Sequence, residues 1–163
     1  QRFISGWTSA GVGTIESTSG RTVLSNNGTD GDELWIETNQ QNHYAQAAIY
    51  ASDAATGFGI LVRVTSSDVY FVGQLTAGNT LTLFRNNTGF TSIAGPFAVT
   101  WADADVLKVQ VTDSNDIQMY QNDTLVGGAS DTTISTSATA VGIRTIGVST
   151  VAYLDMFEAG ISS

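Results

Sequence analysis

The sequence predicts an all-β fold, a two-sheet antiparallel sandwich, from three observations. Helical periodicity is almost absent along the 163 residues. Short runs of alternating apolar and polar residues recur instead, separated by clusters of Gly, Asn, Asp and Ser, which is the pattern of strands joined by turns. The number of such runs is too large for one twisted open sheet, so two packed sheets are expected.

In chain order the expected strands are 21–25, 33–37, 43–51, 58–65, 68–75, 80–85, 106–112, 116–121, 141–146 and 151–159. Within 106–112, Leu107, Val109 and Val111 share one face and Lys108, Gln110 and Thr112 the other, because side chains alternate along a strand. Within 116–121, Ile117 and Met119 oppose Gln118 and Tyr120. A turn at Asp113-Ser114-Asn115 joins these two strands into a hairpin, so Lys108, Gln110, Gln118 and Tyr120 are expected together on one solvated face. The next turn falls at Gln121-Asn122-Asp123. The run from Phe58 is apolar almost continuously through Ile60, Leu61, Val62 and Val64, as suits a central strand covered on both sides; Arg63 is its sole charge. The single proline, Pro96, is placed between strands, where it interrupts no ladder hydrogen bond. Ser130–Thr139 reads as a long Ser/Thr-rich loop, and no linker divides the chain, so one domain over 1–163 is expected.

Composition narrows the function. Hydrophobic residues make up 42%, enough for a packed core, while charged residues are only 13%; Thr, Ser, Asn and Gly supply the remaining polarity. This balance suits an extracellular, cell-surface or virion-surface setting. A net charge of −9 disfavours nucleic acid and anionic membrane surfaces as partners. No run of about 18 apolar residues offers a membrane span. No signal peptide is recognisable, and the chain starts at Gln1 without Met, so it is expected to be a processed product or part of a larger chain or assembly. With no cysteine, disulfides, thiolate metal sites and cysteine nucleophiles are all removed.

Certain segments, read together, carry a family pattern: Gly59-Ile60-Leu61-Val62-Arg63, then Asp68-Val69-Tyr70-Phe71, Leu107-Lys108-Val109-Gln110-Val111, Ile117-Gln118-Met119-Tyr120-Gln121-Asn122-Asp123, Val141-Gly142-Ile143 and Tyr153-Leu154-Asp155-Met156-Phe157. From about Trp35 to Glu158 the sequence resembles the concanavalin A-like, laminin-G-like jelly roll. Two positions depart from it: the usual Asn-Gly turn is Asn122-Asp123, and the closing Phe-Asp is Leu154-Asp155. The acidic run of the glycoside hydrolases that share the fold is absent.

Catalysis finds little support in the residues. Glycoside hydrolysis needs two carboxyl groups flanking the bond. Glu33 and Glu37 share a strand face but stand roughly 13 Å apart along it, too far for a retaining pair. Asp103 and Asp105 sit in a loop before a strand and read as solubilising charge. His43 is the only histidine, and no Gly-x-Ser-x-Gly elbow accompanies it. No catalytic residue is therefore assigned.

Two sites are expected instead. Sugars present apolar CH patches beside hydroxyls, so they are bound by aromatic faces next to amides and charges. Arg63, Tyr70, Lys108, Gln110, Gln118 and Tyr120 are expected to form such a face on the concave sheet, with His43, Tyr44 and Trp101 extending it. The turn 26–33 gathers oxygen ligands around glycines, as a hard cation requires, which makes Asp30 and Asp32 candidate calcium ligands with Asp155 on the last strand as a further one. The resemblance adds to this, since jelly rolls of this kind often hold a structural Ca2+. The leading expectation is a non-catalytic carbohydrate-binding or adhesion module. The alternative is a virion structural protein, a capsid decoration or tail-fibre domain held by neighbouring structural proteins, and a glycoside-cleaving enzyme is the weakest.

Overall fold

In the computed structural model the alternating segments become antiparallel strands. The structure describes residues 8–10, 14–18, 21–25, 33–50, 57–76, 79–146 and 152–162. In order the strands are β1 Thr8–Ala10, β2 Thr14–Thr18, β3 Arg21–Ser25, β4 Glu33–Glu37, β5 His43–Tyr50, β6 Gly57–Ser66 and β7 Val69–Thr76. They continue as β8 Thr80–Asn87, β9 Phe90–Ala98, β10 Asp105–Val111, β11 Asp116–Gln121, β12 Thr124–Ser130, β13 Ala140–Ile146 and β14 Ala152–Ile161. The described residues contain no helix, and so none long and apolar enough to cross a membrane.

Two seven-stranded sheets form the sandwich. The first runs β1-β4-β13-β6-β7-β8-β9 and the second β12-β11-β10-β5-β14-β3-β2. The fold is thus the expected all-β, two-sheet antiparallel jelly roll. Between the sheets lies one apolar cluster, built from Ile60, Val62, Phe71, Leu81, Leu83, Val141 and Ile143 of the first sheet and Ala45, Ala47, Leu107, Val109, Val111, Ile117 and Met119 of the second. Gly73 of β7 is where the sheets meet closely. A Cβ there would stand 2.5 Å from Val109 Cγ2 and 3.1 Å from Met119 Sδ.

The continuous apolar run of β6 has the reason expected of it. Ile60 and Val62 enter the central cluster, while Leu61 and Val64 join Tyr70, Val72 and Ala140 in a second cluster with Trp35 and Phe84 on the sheet's other face. The switch of parity between Val62 and Val64 occurs at Arg63, whose φ of 50° marks a bulge where the β6–β7 register shifts.

Pro96 departs from its expected place. It lies inside β9, which the sequence reading left out, yet β9 is a sheet edge, where a missing N–H breaks no inner ladder. β12 was likewise not expected, and it forms the matching edge of the second sheet. The two edges close on each other through Gly127, which seats the Phe97 ring where a Cβ would otherwise stand. The segment after β12 is the expected long loop. It buries Ile134 and Ala138 against the core and is tied to β8 by the Arg85–Asp131 ion pair at 2.6 Å.

Candidate binding face

The β10–β11 hairpin builds the face that alternation predicts. Lys108 stands opposite Tyr120 and Gln110 opposite Gln118, and β5 on the other side sets Gln46 opposite Lys108 and Tyr44 opposite Gln110. Directly paired residues of an antiparallel ladder share a face. Tyr44, Gln46, Lys108, Gln110, Gln118 and Tyr120 therefore all stand on the outer side of the second sheet. Their apolar neighbours along each strand point inward.

Two hydrogen-bonded groups cover this face. In one, Glu158 of β14 accepts from the Tyr44 hydroxyl at 2.6 Å and from Gln46 Nε2 at 3.1 Å. That bond to the carboxylate, helped by burial and by the carboxylate's charge, pushes the Tyr44 phenol above its ordinary pKa. The Tyr44 ring lies over Gly160, where a Cβ would come within 2.7 Å of it. In the other group, Gln110 Nε2 donates to Gln118 Oε1 at 2.8 Å and to the Tyr120 hydroxyl at 2.9 Å, and that hydroxyl donates to Gln118 Oε1 at 2.7 Å. Lys108 lies between the groups. Its Nζ is 4.7 Å from the Tyr120 ring centre, 5.9 Å from that of Tyr44 and 3.1 Å from Asp123 Oδ1.

The second group fixes one side chain for a purpose. Gln118 Oε1 takes two donors, which sets the amide's orientation and leaves Nε2 with no partner among the described residues. Beside it lies a groove of about 220 Å³, lined by Asp116, Ile117, Gln118, Leu125, Gly128, Ala129 and Ser130. Gly128 is paired with Gln118 across the β11–β12 ladder. Its Cβ would strike Ile117 O at 2.3 Å, so only glycine fits there. Asp116 Oδ1 accepts from Ser130 Oγ. Leu125, 54% exposed, forms an apolar wall. The groove thus offers a fixed amide donor, a carboxylate acceptor about 7 Å away along one strand, and a CH surface. Sequence reasoning missed Asp116, Leu125, Gly128, Ser130, Gln46 and Glu158. Asp116 had a signal, since it precedes Gln118 and Tyr120 at the same period of two.

Other expected residues stand elsewhere. Tyr70 belongs to the first sheet and is fully buried in its outer cluster. His43 and Arg63 are fully buried at one end of the sandwich. His43 Nδ1 lies 2.7 Å from Gln40 O, to which it donates, and Nε2 accepts the Arg63 backbone N–H at 3.1 Å, which fixes the neutral ring. Burial above all, with the nearby Arg63 charge, holds the His43 pKa below its usual value, against opposing pulls from the Gln40 bond and Glu37. The Arg63 guanidinium reaches across the sandwich to the β10–β11 turn, donating to Asn115 Oδ1 at 2.7 Å and Thr112 O at 3.4 Å. Trp101 is half-buried against the core, with its indole N–H 3.5 Å from Ile49 O. None of these four joins the outer face. Arg63 instead holds the β10–β11 turn and Trp101 bonds the end of β5, while Tyr70 packs on the far side of the other sheet.

The acidic candidates divide similarly. Asp30 and Asp32 lie outside the described residues. Asp155 lies on β14, three residues beyond Ala152, the partner of Leu24, and so roughly 10 Å along the strand from the end of β3 that leads into the acidic turn. The described residues hold no group of three or more His, Cys, Asp and Glu arranged to bind a metal. Glu37 is exposed and accepts from Thr139 Oγ1 at 2.8 Å. Asp105 orders a turn: burial pushes its pKa up, but hydrogen bonds from the Ala102 N–H, Asn122 and Gln121 outweigh that and hold it below the ordinary carboxylate value. A general acid needs the opposite shift.

The chain has a β-sandwich fold like that of the concanavalin A-like jelly rolls, and solved structures share that fold. The chain is similar to carbohydrate-binding module CBM66 from Bacillus subtilis, with a TM-score of 0.79 at 16% identity over 98% of both chains. It is similar to a Bacillus subtilis protein of unknown function with a galectin-like fold, with a TM-score of 0.70 at 13% identity over 95% of this chain and 89% of that one. The potassium-bound carbohydrate recognition domain of Emp46p gives a TM-score of 0.66 at 14% identity over 94% of this chain and 87% of that one, and its metal-free form gives the same score. At these identities the likeness defines the fold. No protein-family model and no curated protein sequence matches the chain.

Proposed function

We propose that this chain is a non-catalytic carbohydrate-binding module working outside the cell, and that it seats its glycan in the groove between β11 and β12. One observation above all supports this reading: the Gln110–Tyr120–Gln118 network, which holds an amide donor at the edge of the groove with its acceptor side already satisfied. A preorganised donor, a carboxylate acceptor and an apolar wall match a sugar's adjacent hydroxyls and CH face. Tyr44, Lys108 and Glu158 extend the same face toward β14 and give room for further sugar units. The fold's likeness to CBM66 and to the Emp46p carbohydrate recognition domain is consistent with this role.

A structural Ca2+ held by the turn containing Asp30 and Asp32 belongs to the same proposal, with Asp155 as a separate, more distant candidate. The test of function is binding of the purified chain to immobilised glycans, with and without chelator, beside the Gln118→Ala variant. Specific retention of the wild type and its loss in Gln118→Ala support the reading. Equal retention of both proteins refutes the groove as the site.

A further inference from the structure

We infer that the groove selects uncharged saccharides and rejects sulfated, sialylated or uronate ones. This inference rests on the glycan reading of the groove and deepens it. Of the side chains lining the groove, the only ionisable one is Asp116, a carboxylate, and no cation lines it. The face beyond it carries two more carboxylates, Glu158 and Asp123.

Lys108, on β10 beside the groove's own strand, is the nearest cation of this face among the residues whose side chains are described, and it is occupied. Asp123 pairs with its ammonium at 3.1 Å, and the Tyr120 ring lies beneath it at 4.7 Å. Of the other cations, Arg63 is buried in the sandwich end, Arg85 is paired with Asp131, Arg144 stands over Phe90 on the first sheet, and Arg21 lies on β3, four strands from β11. An anionic sugar would therefore bring its charge to an unneutralised carboxylate in a protein of net charge −9. Juxtaposed like charges disfavour a partner strongly enough to set specificity without improving the correct one. A neutral sugar meets no such penalty and can donate a hydroxyl to Asp116 while accepting from Gln118.

The experiment is a matched panel of neutral oligosaccharides and their sulfated, sialylated and uronate counterparts, titrated calorimetrically at low and at physiological salt. The wild type is expected to bind neutral members at least ~10-fold more tightly than their acidic counterparts, with the gap narrowing at higher salt. Asp116→Asn keeps the shape and removes the charge, and it should shrink the gap. Ser130→Lys places a cation at the exposed groove rim, and it should do the same if Asp116→Asn does not fold. Equal or tighter binding of acidic members overturns this inference and leaves the glycan reading standing. An unchanged gap in both folded variants also overturns it, because the selectivity then arises elsewhere. Binding to neither half of the panel overturns the glycan reading together with the inference.

Discussion

Replacing His43 with leucine tests how the buried end of the sandwich supports the binding hairpin. Leucine has a similar volume but no ring nitrogens. It would leave the Arg63 N–H without its acceptor in a fully buried position, and Gln40 O without its donor. A buried unsatisfied group costs about 1–3 kcal/mol, and a partly buried carbonyl that regains water costs less. The expected loss is therefore about 2–4 kcal/mol near pH 7.5, a large share of a typical domain's ~5–15 kcal/mol. The loss should also depend on pH. The native state holds His43 neutral with a lowered pKa, whereas the unfolded chain takes up a proton near the ordinary value of about 6.5. His43 thus contributes its full stability above that value and loses it progressively as the pH falls below it toward the native pKa. The leucine variant has no such proton, so the gap between the two proteins should narrow between pH 7.5 and 5 by at most ~2 kcal/mol. Urea titrations of both proteins at several pH values measure this. A variant as stable as the wild type, or a gap that does not change with pH, refutes the reasoning.

Ala104 holds a φ of 72°, where a Cβ is strained, so Ala104→Gly should raise stability by about 0.5–1 kcal/mol in the same titrations. Gly73→Ala should cost about 1–3 kcal/mol, because its Cβ would meet Val109 and Met119 and force the sheets apart; a Tm lower by several degrees in calorimetry is the readout. Tyr120→Phe removes the hydroxyl that orients Gln118, and its glycan affinity should fall by ~3–10-fold with little change in Tm, measured by calorimetric titration. Tyr70→Ala should instead lower stability by about 3–5 kcal/mol through the cavity it opens in the first sheet, read by thermal melting.

Much of the fold is legible in the sequence because burial on one side imposes alternation. Leu107, Val109, Val111, Ile117 and Met119 point inward as their spacing predicts, and Lys108, Gln110, Gln118 and Tyr120 point out. The missed strands β1, β2, β9 and β12 are the four sheet edges; β9 and β12 are exposed along much of both faces, and glycine and proline in them read as turn. Alternation reports which residues share a face within a strand but not which sheet the strand joins. Tyr70 was therefore grouped with Tyr120 although β7 and β11 lie in different sheets. A bulge hides in the same way. Nothing in the run Val62-Arg63-Val64 signals that Arg63 turns inward to bond Asn115, because the cause is a backbone φ imposed by packing. The groove escaped notice because half of its lining, Leu125 to Ser130, belongs to the edge strand β12, whose Gly127-Gly128 reads as turn.

The most direct test of the account is a glycan array probed with the wild type and with Gln118→Ala, both verified as folded by thermal melting and both run with calcium and with chelator. The wild type should give a specific signal from uncharged glycans, and the variant should lose it. A blank array for a folded wild type in both conditions, or a signal that Gln118→Ala retains in full, would contradict it.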